Sequence, residues 1–550
     1  MRVYSPVLLL AMTMLVSCGS LDRPGTKLPV VELADGARER ITVDASTVLN
    51  DTRRRQIGIN TCFLTDDDKS YLRSAKRPFD EALKELRPTY LRYPGGWKSD
   101  VVFWSVPPYT KSQPTLARPH AASFPANDRK LVNPDGSWRI DPYDFDEFMT
   151  TCRAVGAEPV LVVCYNSYRW SLDFDETPQP TRRQIIDAAV AWVRYANKVK
   201  GYDVKYWEIG NESWLPMKEN GKTSVVRPDV YAEDTVEISR RMKEVDPTIL
   251  IGANARELEN WMTILNRAAA HIDFLVVHPY PCYGWKGYDV YVRQDPNALH
   301  GVRSAQEAIA SNEIARRKRV KIMATEFAAG TFDEWDRSGA DVARGVMTVD
   351  ILGQLLQDPD CYMALFWNTI NIYEGDGSVF NALMRDNSLS AVGRALTVWS
   401  RFLEDVMVKT TIERNRSEAG KAQEEPVETP SPSMVRCYAS KTEGKALNVI
   451  LVNKDIRATG VDLRLRHARM ADRPGEKWVY QGTSPTDKNP TWGNVGRVKA
   501  AGDVITTTLD PVSVTVFSLP LEPNSGLEKT GHSPPSNGMD ETSTSVDGRP

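Results

Sequence analysis

The sequence predicts a (β/α)8 barrel followed by a C-terminal antiparallel β-sandwich. Between residues 51 and 402, eight apolar, strand-like segments alternate with amphipathic helix patterns. From residue 403 the pattern changes to short strands separated by turns, without helices. Eight strand–helix units in one stretch fit a single barrel with insertions better than two doubly wound sheets.

The eight barrel strands are predicted from short apolar runs bounded by turn residues. They are QIGINTCFL (56–64), PTYLRYPGG (88–96), EPVLVVCYN (158–166), VKYWEIGNE (204–212), TILIGAN (248–254), IDFLVVHPY (272–280), VKIMATEFA (320–328) and CYMALFWNT (361–369). Apolar residues at i, i+3 and i+4 predict helices between them, for example at 142–157, 181–199 and 231–246. The long stretch 97–140 is then an insertion after the second strand, on the side where barrels carry their active sites.

The remaining segments are divided by composition. We expect a β-sandwich at 403–520, with residues 31–50 supplying an extra strand to it. Residues 521–550 are rich in Ser, Pro, Gly and Thr and are predicted to be disordered, and residues 21–30 form a tether.

Residues 1–20 have the pattern of a lipoprotein signal peptide. An early Arg precedes the apolar run Pro6–Val16, which is too short to span a bilayer in the mature protein. The segment Leu15-Val16-Ser17-Cys18 resembles a bacterial lipobox, in which Cys18 is lipidated; ordinary secretory cleavage nearby is the alternative. The lipid would hold the protein at the bacterial cell envelope, in the periplasm or at the outer surface, without a membrane-spanning helix.

Charge and composition argue against nucleic acid, metal ions and cofactors as binding partners. The net charge of −3 offers no basic field for nucleic acid. No CxxC pair occurs and the six His are scattered, so we expect neither a metal nor a cofactor. The oligomeric state does not follow from the sequence.

Polar residues end most of the predicted barrel strands. Barrel enzymes carry their functional groups at the carboxyl ends of the strands. Any one such residue could simply cap a strand, but packing alone does not select so many at one end. The candidate site residues are Arg92, Asn166, Asn211, Glu212, His278, Tyr280, Glu326 and Trp367.

Two carboxylates among these residues suit the cleavage of a glycosidic bond. One carboxyl group must donate a proton to the leaving oxygen, and the other must be ionised to attack the anomeric carbon. Arg92 and Tyr280 are candidates to stabilise the anion at Glu326. Asn211 could bind a sugar hydroxyl, and Trp367 offers an apolar face to the ring.

Several motifs resemble those of the α-L-arabinofuranosidases, over about residues 56–370. They are LRYPGG, DPYDFDEFMTTCRAVGAEPVLVV, AWVRYANKVKGYDVKYWEIGNES, VDPTILIGAN and IDFLVVHPYP. The resemblance implies a retaining glycosidase whose barrel carries catalytic Glu residues on strands four and seven, with a C-terminal β-sandwich. It implies Glu212 as acid/base and Glu326 as nucleophile. Arg92, Asn211, His278 and Tyr280 match supporting or sugar-binding positions.

Two segments depart from that family and leave other sugars open. Phe327 follows the predicted nucleophile in MATEFAAG, where arabinofuranosidases more often have Trp, and FWNTINIYEGDG after strand eight matches no pattern of the family. The alternatives are a β-xylosidase, a β-glucuronidase or an endoglucanase of the same clan. An alternative from another class is a lipoprotein that binds glycans without catalysis.

Overall fold

The chain has 550 residues, and its structure, a computed structural model, describes most of residues 38–523. The residues within that range that it does not describe are 65, 67, 70–72, 118–132, 134–136, 170–178, 220–221, 282–286, 289–290, 293–296, 331–338, 371–376 and 414–433. The predicted signal peptide with Cys18, the tether at 21–30 and residues 524–550 of the predicted disordered tail lie outside the described residues.

Strands β1 to β13 include the whole barrel. Their bounds are β1 Arg38–Asp51, β2 Ile57–Asn60, β3 Tyr90–Tyr93, β4 Val102–Phe103, β5 Thr115–Leu116, β6 Glu158–Val163, β7 Tyr206–Ile209, β8 Met217–Glu219, β9 Lys222–Ser224, β10 Leu250–Asn254, β11 Phe274–Val277, β12 Lys321–Phe327 and β13 Cys361–Phe366. Eight of them close a parallel barrel in the order β10-β11-β12-β13-β2-β3-β6-β7. These eight lie within the eight predicted segments, so the barrel prediction is confirmed.

The helices surround this barrel. They are α1 Phe79–Leu86, α2 Phe145–Val155, α3 Asn166–Arg169, α4 Arg182–Val193, α5 Pro228–Val245, α6 Leu258–Ala268, α7 His300–Ser311, α8 Glu313–Lys318, α9 Val342–Gln357 and α10 Ala391–Phe402. A π-helical stretch, Arg194–Val199, continues α4, and a 3₁₀ segment spans Gly96–Asp100.

Local sequence signals explain where two of these helices begin. Asp144 and Glu147 form a capping box at the start of α2, and Thr181 and Gln184 form another at the start of α4. In each box the side chains satisfy backbone N–H groups that have no partner within the helix. Gly156 then ends α2 in the left-handed conformation.

A second domain follows the barrel in the chain. Its strands are β14 Val406–Glu413, β15 Val435–Thr442, β16 Ala446–Asn453, β17 Thr459–Arg466, β18 Gly475–Gln481, β19 Thr491–Val498, β20 Val504–Leu509 and β21 Ser513–Pro520. They join β1 in a nine-stranded sheet of order β19-β18-β21-β16-β15-β14-β1-β17-β20. The pair β1–β17 is parallel and the other pairs are antiparallel, so the predicted antiparallel sandwich holds except at that pair.

Helix α9 packs the two domains together. Asp350, on α9, accepts a hydrogen bond from Lys454 Nζ at 3.2 Å, and both side chains are almost fully buried. The hydroxyl of Tyr438 on β15 donates to the same carboxylate at 2.5 Å. Gly353 leaves room for the Tyr438 ring, since a Cβ there would lie 2.7 Å from the ring atoms.

Within the part of the chain that the structure describes, no helix is long and apolar enough to cross a bilayer.

Candidate active site

Glu212 lies just beyond the carboxyl end of β7. The chain turns there through Gly210, whose φ is +69°, and Glu212 itself has a φ of +48°. Such values are uncommon for a residue other than glycine and often mark functional turns. The side chain of Glu212 is 23% exposed, so water and a leaving group can reach its carboxyl group.

Glu326 lies in an irregular part of β12. Ala324 pairs with Ala364 of β13, and Phe327 pairs with Phe366. Between these two pairs β12 advances by three residues and β13 by two, so β12 contains one extra residue, as in a β-bulge. An extra residue changes the alternation of side chains along the strand, and this region carries Glu326, whose side chain is only 5% exposed.

The two carboxylates face each other beside His278. One donor atom from each of Glu212, Glu326 and His278 lies within 4.8 Å of the others. His278 Nδ1 is 2.9 Å from Glu212 Oε1 and 3.5 Å from Glu326 Oε2. Retaining glycosidases hold their carboxyl groups about 5–5.5 Å apart, whereas inverting enzymes need about 6.5–9.5 Å. The approach of the two carboxylates to within 4.8 Å therefore favours the retaining over the inverting arrangement.

Arg92, on β3, is the fixed cation beneath these carboxylates. Its Nη1 donates to Glu326 Oε1 at 2.8 Å and to Asn60 Oδ1 at 2.9 Å. Its Nη2 donates to Glu208 Oε2 at 2.7 Å and to Asn211 Oδ1 at 2.8 Å. Burial alone would lower the pKa of the Arg92 guanidinium, but the charges of Glu208 and Glu326 outweigh burial and raise the pKa. The guanidinium therefore stays charged and holds Glu326 and Asn211 in place.

Tyr280 holds the other oxygen of Glu326. Its hydroxyl donates to Glu326 Oε2 at 2.7 Å. Burial raises the pKa of Tyr280 well above its ordinary value, and the nearby charges of Glu326 and Glu212 raise it further. The phenol therefore remains a donor at any working pH. Because both oxygens of Glu326 accept hydrogen bonds from fixed donors, the orientation of this carboxylate is set before substrate arrives.

Asp100 links the backbone at Asn211 to the residues that directly follow β6. Its Oδ1 accepts from the backbone N–H groups of Tyr165 and Asn166 at 3.0 and 2.9 Å. Its Oδ2 accepts from Asn166 Nδ2 at 2.9 Å and from the N–H of Asn211 at 3.0 Å. Burial raises the pKa of Asp100 to about 7, and these hydrogen bonds oppose the rise. Asn166 Nδ2 also donates to the carbonyl of Asn211 at 2.6 Å, so Asn166 positions the chain next to Glu212.

The Pro-Gly-Gly segment after β3 packs against Trp367. A Cβ on Gly95 would lie 2.4 Å from the carbonyl oxygen of Thr61, and one on Gly96 would lie 2.2 Å from the Trp367 ring. Both glycines also have positive φ, at +104° and +43°. The Lys98 ammonium lies 5.0 Å from the centroid of the Trp367 ring. Lys98 therefore covers the Trp367 ring, which the sequence suggested as an apolar surface for packing against a sugar.

Some buried polar atoms at this end of the barrel have no hydrogen-bond partner. They include Asn166 Oδ1, Glu208 Oε1, Trp367 Nε1 and both side-chain atoms Oδ1 and Nδ2 of Asn368. Buried polar groups normally have partners, so a set of orphans beside a carboxylate pair is typical of a site that binds a polar ligand. Sugar hydroxyls are both donors and acceptors and could satisfy both kinds of orphan atom.

All eight sequence-predicted site residues lie at the carboxyl end of the barrel; Arg92, Tyr280 and His278 contact the two glutamates directly, and Asn211 and Asn166 are joined to them through Arg92 and each other. Trp367 is the exception: its backbone N–H donates to Phe327 next to Glu326, while its ring packs under Lys98. Sequence reasoning missed Asn60, Lys98 and Asp100. Asn60 is the last residue of β2, so the expectation that functional groups lie at the carboxyl ends of the strands would have identified it. Lys98 and Asp100 lay inside a predicted insertion and carried no recognisable signal.

The comparisons with known proteins agree with this architecture. Residues 82–286 match the Alpha-L-arabinofuranosidase 1 domain. Alpha-L-arabinofuranosidase C of Emericella nidulans is 28% identical over 187 residues, which cover 31% of this chain and 30% of the relative. An intracellular exo-alpha-L-arabinofuranosidase of Bacteroides ovatus is 28% identical over 215 residues, covering 38% of this chain and 37% of the relative. The chain thus matches only about a third of the length of these curated relatives.

The likeness in fold extends much further than the likeness in sequence. The structure of an α-L-arabinofuranosidase from Thermotoga maritima, in complex with arabinose, superposes with a TM-score of 0.66 at 20% identity. The superposition covers 88% of this chain and all of that one. The fold is a parallel barrel with a mostly antiparallel second domain, and the resemblance to α-L-arabinofuranosidases read from the sequence motifs is confirmed.

Proposed function

We propose that the protein is a retaining glycoside hydrolase that releases α-L-arabinofuranosyl residues from plant-type polysaccharides or oligosaccharides. The observation that carries this proposal is the pair Glu212 and Glu326, whose nearest carboxyl oxygens lie within 4.8 Å at the carboxyl end of the barrel. So short an approach supports the retaining arrangement over the inverting one, which needs a wider separation to admit a water molecule.

Glu326 is the nucleophile in this mechanism. It is held through both oxygens by Arg92 and Tyr280, which fix its orientation. In the first step a carboxylate oxygen of Glu326 bonds to the anomeric carbon as the bond to the leaving oxygen breaks. Glu212 donates its proton to that leaving oxygen, so the aglycone departs as a neutral alcohol.

Glu212 then acts as the base for the second step. It removes a proton from a water molecule, whose oxygen bonds to the anomeric carbon as the ester bond to Glu326 breaks. Its 23% exposed side chain suits a group that meets the leaving alcohol and then the incoming water. His278 Nδ1, 2.9 Å from Glu212 Oε1, orients that carboxyl group between the two steps.

Arabinofuranose is the proposed sugar because the matched domain and the relatives are named for it. The alternatives are the β-xylosidase, β-glucuronidase and endoglucanase specificities. Two residues lie where the sequence departs from arabinofuranosidases: Phe327, next to Glu326, and Asn368, next to Trp367. Both polar side-chain atoms of Asn368 lack a hydrogen-bond partner. A sugar other than arabinofuranose would be distinguished at these positions.

We also propose that the enzyme is a lipoprotein of the bacterial cell envelope, anchored through Cys18. The apolar run before Leu15-Val16-Ser17-Cys18 supports this. Expression of the full chain in a bacterium and mass analysis of its mature N-terminal peptide would test the anchor. A diacylglyceryl group on Cys18, absent from Cys18→Ser, is expected. An unmodified N-terminus generated by cleavage elsewhere would contradict it.

Hydrolysis of a panel of aryl glycosides tests the catalytic proposal. The panel contains an α-L-arabinofuranoside, a β-D-xyloside and a β-D-glucuronide, with Glu326→Ala as the control. Turnover of the arabinofuranoside that is lost in the variant is the expected result. Turnover of another sugar alone would keep the two carboxylates in their roles and change the substrate. Binding of oligosaccharides without turnover would overturn the proposal in favour of a glycan-binding protein.

A further inference from the structure

Lys98 is a buried cation at the edge of the candidate active site, and the structure gives it no counter-ion among the described residues. Its residue is 4% exposed. Among the described residues, no carboxylate lies within the 4.0 Å of an ion pair from its ammonium, and the side chain makes no hydrogen bond. Among the described residues, this ammonium makes a cation–π contact with the Trp367 ring, 5.0 Å from the centroid. An ammonium removed from water normally has an anion or several acceptors.

The position of Lys98 is fixed by its neighbours on the 3₁₀ segment Gly96–Asp100. Gly96 packs against the Trp367 ring at one end of this segment. Asp100, at the other end, binds the N–H groups of Asn166 and Asn211. Lys98 is therefore carried by a segment anchored at both ends, and the lysine itself is buried.

The charges nearby do not account for this lysine. Glu326 and Glu208 are already paired with Arg92, and Glu212 lies against His278. A structural lysine would be expected to pair with a carboxylate of the protein. A cation–π contact with a tryptophan contributes about 2 kcal/mol when desolvated, which is less than the cost of burying an unpaired charge. The missing partner is therefore best supplied by an anionic ligand.

We propose that Lys98 binds a carboxylate group of the substrate, so that the enzyme acts on glycans that contain a uronic acid. This inference rests on the proposed glycosidase function and names the substrate class for the same site. A uronate is the carboxylate-bearing sugar that would bring an anion to the Lys98 ammonium beside Trp367. The carboxylate belongs either to the reacting sugar or to the sugar next to it.

Matched pairs of substrates test this proposal. Each pair consists of a uronate-containing glycoside and the same compound after its carboxyl group is reduced to a hydroxymethyl group. One pair is an aryl hexuronide, in which the reacting sugar carries the carboxylate. The other is an arabinofuranosyl oligosaccharide with a uronate on a neighbouring residue. The wild-type protein should have a higher kcat/KM for the acidic member of at least one pair, and that pair identifies which sugar carries the carboxylate.

Three variants separate charge from hydrogen bonding and from folding. Lys98→Met should reduce the preference for the acidic member by at least tenfold. Lys98→Gln, which can still donate hydrogen bonds, should lose the preference as well, whereas Lys98→Arg should retain part of it. Lys84→Met is the control, because Lys84 is a half-exposed lysine on α1 that pairs with Asp80. This control should leave the preference as in the wild type.

Equal kcat/KM values for both members of both pairs would overturn the inference while leaving the proposed function intact. An unchanged preference in Lys98→Met would overturn it too.

If no glycoside is hydrolysed, the proposed function fails separately. Calorimetric binding of the acidic and reduced oligosaccharides to Glu326→Ala then decides the inference, with tighter, Lys98-dependent binding of the acidic one supporting it. If Lys98→Met does not fold, the comparison of Lys98→Arg with Lys98→Gln takes its place.

Discussion

Arg92 Nη1 donates a 2.8 Å hydrogen bond to Glu326 Oε1 and so joins β3 to the bulged part of β12. Both side chains are nearly inaccessible to water, at 0% and 5% exposed. The same guanidinium also holds Glu208, so one cation serves two buried carboxylates. The orientation of Glu326, the proposed nucleophile, is therefore a consequence of the barrel core and not of a surface loop.

Replacement of Arg92 by Met should destabilise the protein strongly. It leaves Glu208 and Glu326 buried without a cation, and breaking such a buried pair costs about 3–5 kcal/mol. The matched control is Arg183→Met, because Arg183 forms an ion pair with Asp187 in which the side chains are 89% and 45% exposed. Thermal unfolding should show a fall of several degrees for Arg92→Met and little change for Arg183→Met. Equal falls would contradict the assigned role.

Tyr280→Phe should reduce activity with little loss of stability. The change removes the 2.7 Å hydrogen bond to Glu326 and leaves the ring in place. A hydrogen bond to a charged group contributes about 1.5–3 kcal/mol, so kcat/KM should fall about 10- to 100-fold. Tyr288→Phe is the control, since its buried hydroxyl donates to the Lys454 carbonyl at 2.8 Å. Comparable kinetics in the two variants would exclude a specific role for Tyr280.

Glu212 and Glu326, the two proposed catalytic carboxylates, should give different signatures when removed. With an aryl glycoside whose leaving group needs no protonation, Glu212→Ala should release a burst of phenol and then turn over about 10²- to 10⁴-fold more slowly. Azide should accelerate this variant and yield a glycosyl azide of retained configuration. Glu326→Ala should show no burst. Exchange of these two signatures would mean that the roles of Glu212 and Glu326 are reversed.

Asp100 should make stability depend on pH between about 4 and 7. Burial raises its pKa from 3.8 to about 7, so the folded protein holds the proton that the unfolded chain has lost. Its stabilising contribution is complete below pH 4 and is lost as the pH rises through 7, at about 1.4 kcal/mol per pH unit. The wild-type unfolding temperature, measured relative to Asp100→Asn, should therefore decline over this range. A constant difference between the two proteins would show that Asp100 is ionised throughout.

Divalent cations should inhibit the enzyme and not activate it. Glu212, His278 and Glu326 place three donor atoms within 4.8 Å of one another, which is sufficient to bind a cation weakly. A cation there would occupy both catalytic carboxylates. EDTA should leave the activity unchanged, and Zn²⁺ should inhibit in competition with substrate. Loss of activity in EDTA that Zn²⁺ restores would show that the reaction requires the metal.

The barrel and the clustering of the candidate site residues at one end of it could be predicted because their signals are local. Apolar strands ending in Asn211-Glu212 or in His278-Pro-Tyr280 mark both the fold and the functional end. The bulge near Glu326 could not be predicted, because it depends on the register between β12 and β13. Asp100 and Lys98 could not be predicted either. Their importance comes from a 3₁₀ segment that folds back on Trp367, and only tertiary contacts specify that path.

The stereochemistry of the first product tests the central claim most directly. Proton NMR during hydrolysis of an aryl α-L-arabinofuranoside distinguishes the two anomers of arabinose before they equilibrate. A carboxylate pair within 4.8 Å predicts that the α-anomer forms first, through two displacements at the same carbon. Initial formation of the β-anomer would indicate a single displacement by water and would contradict the role of Glu326 as nucleophile.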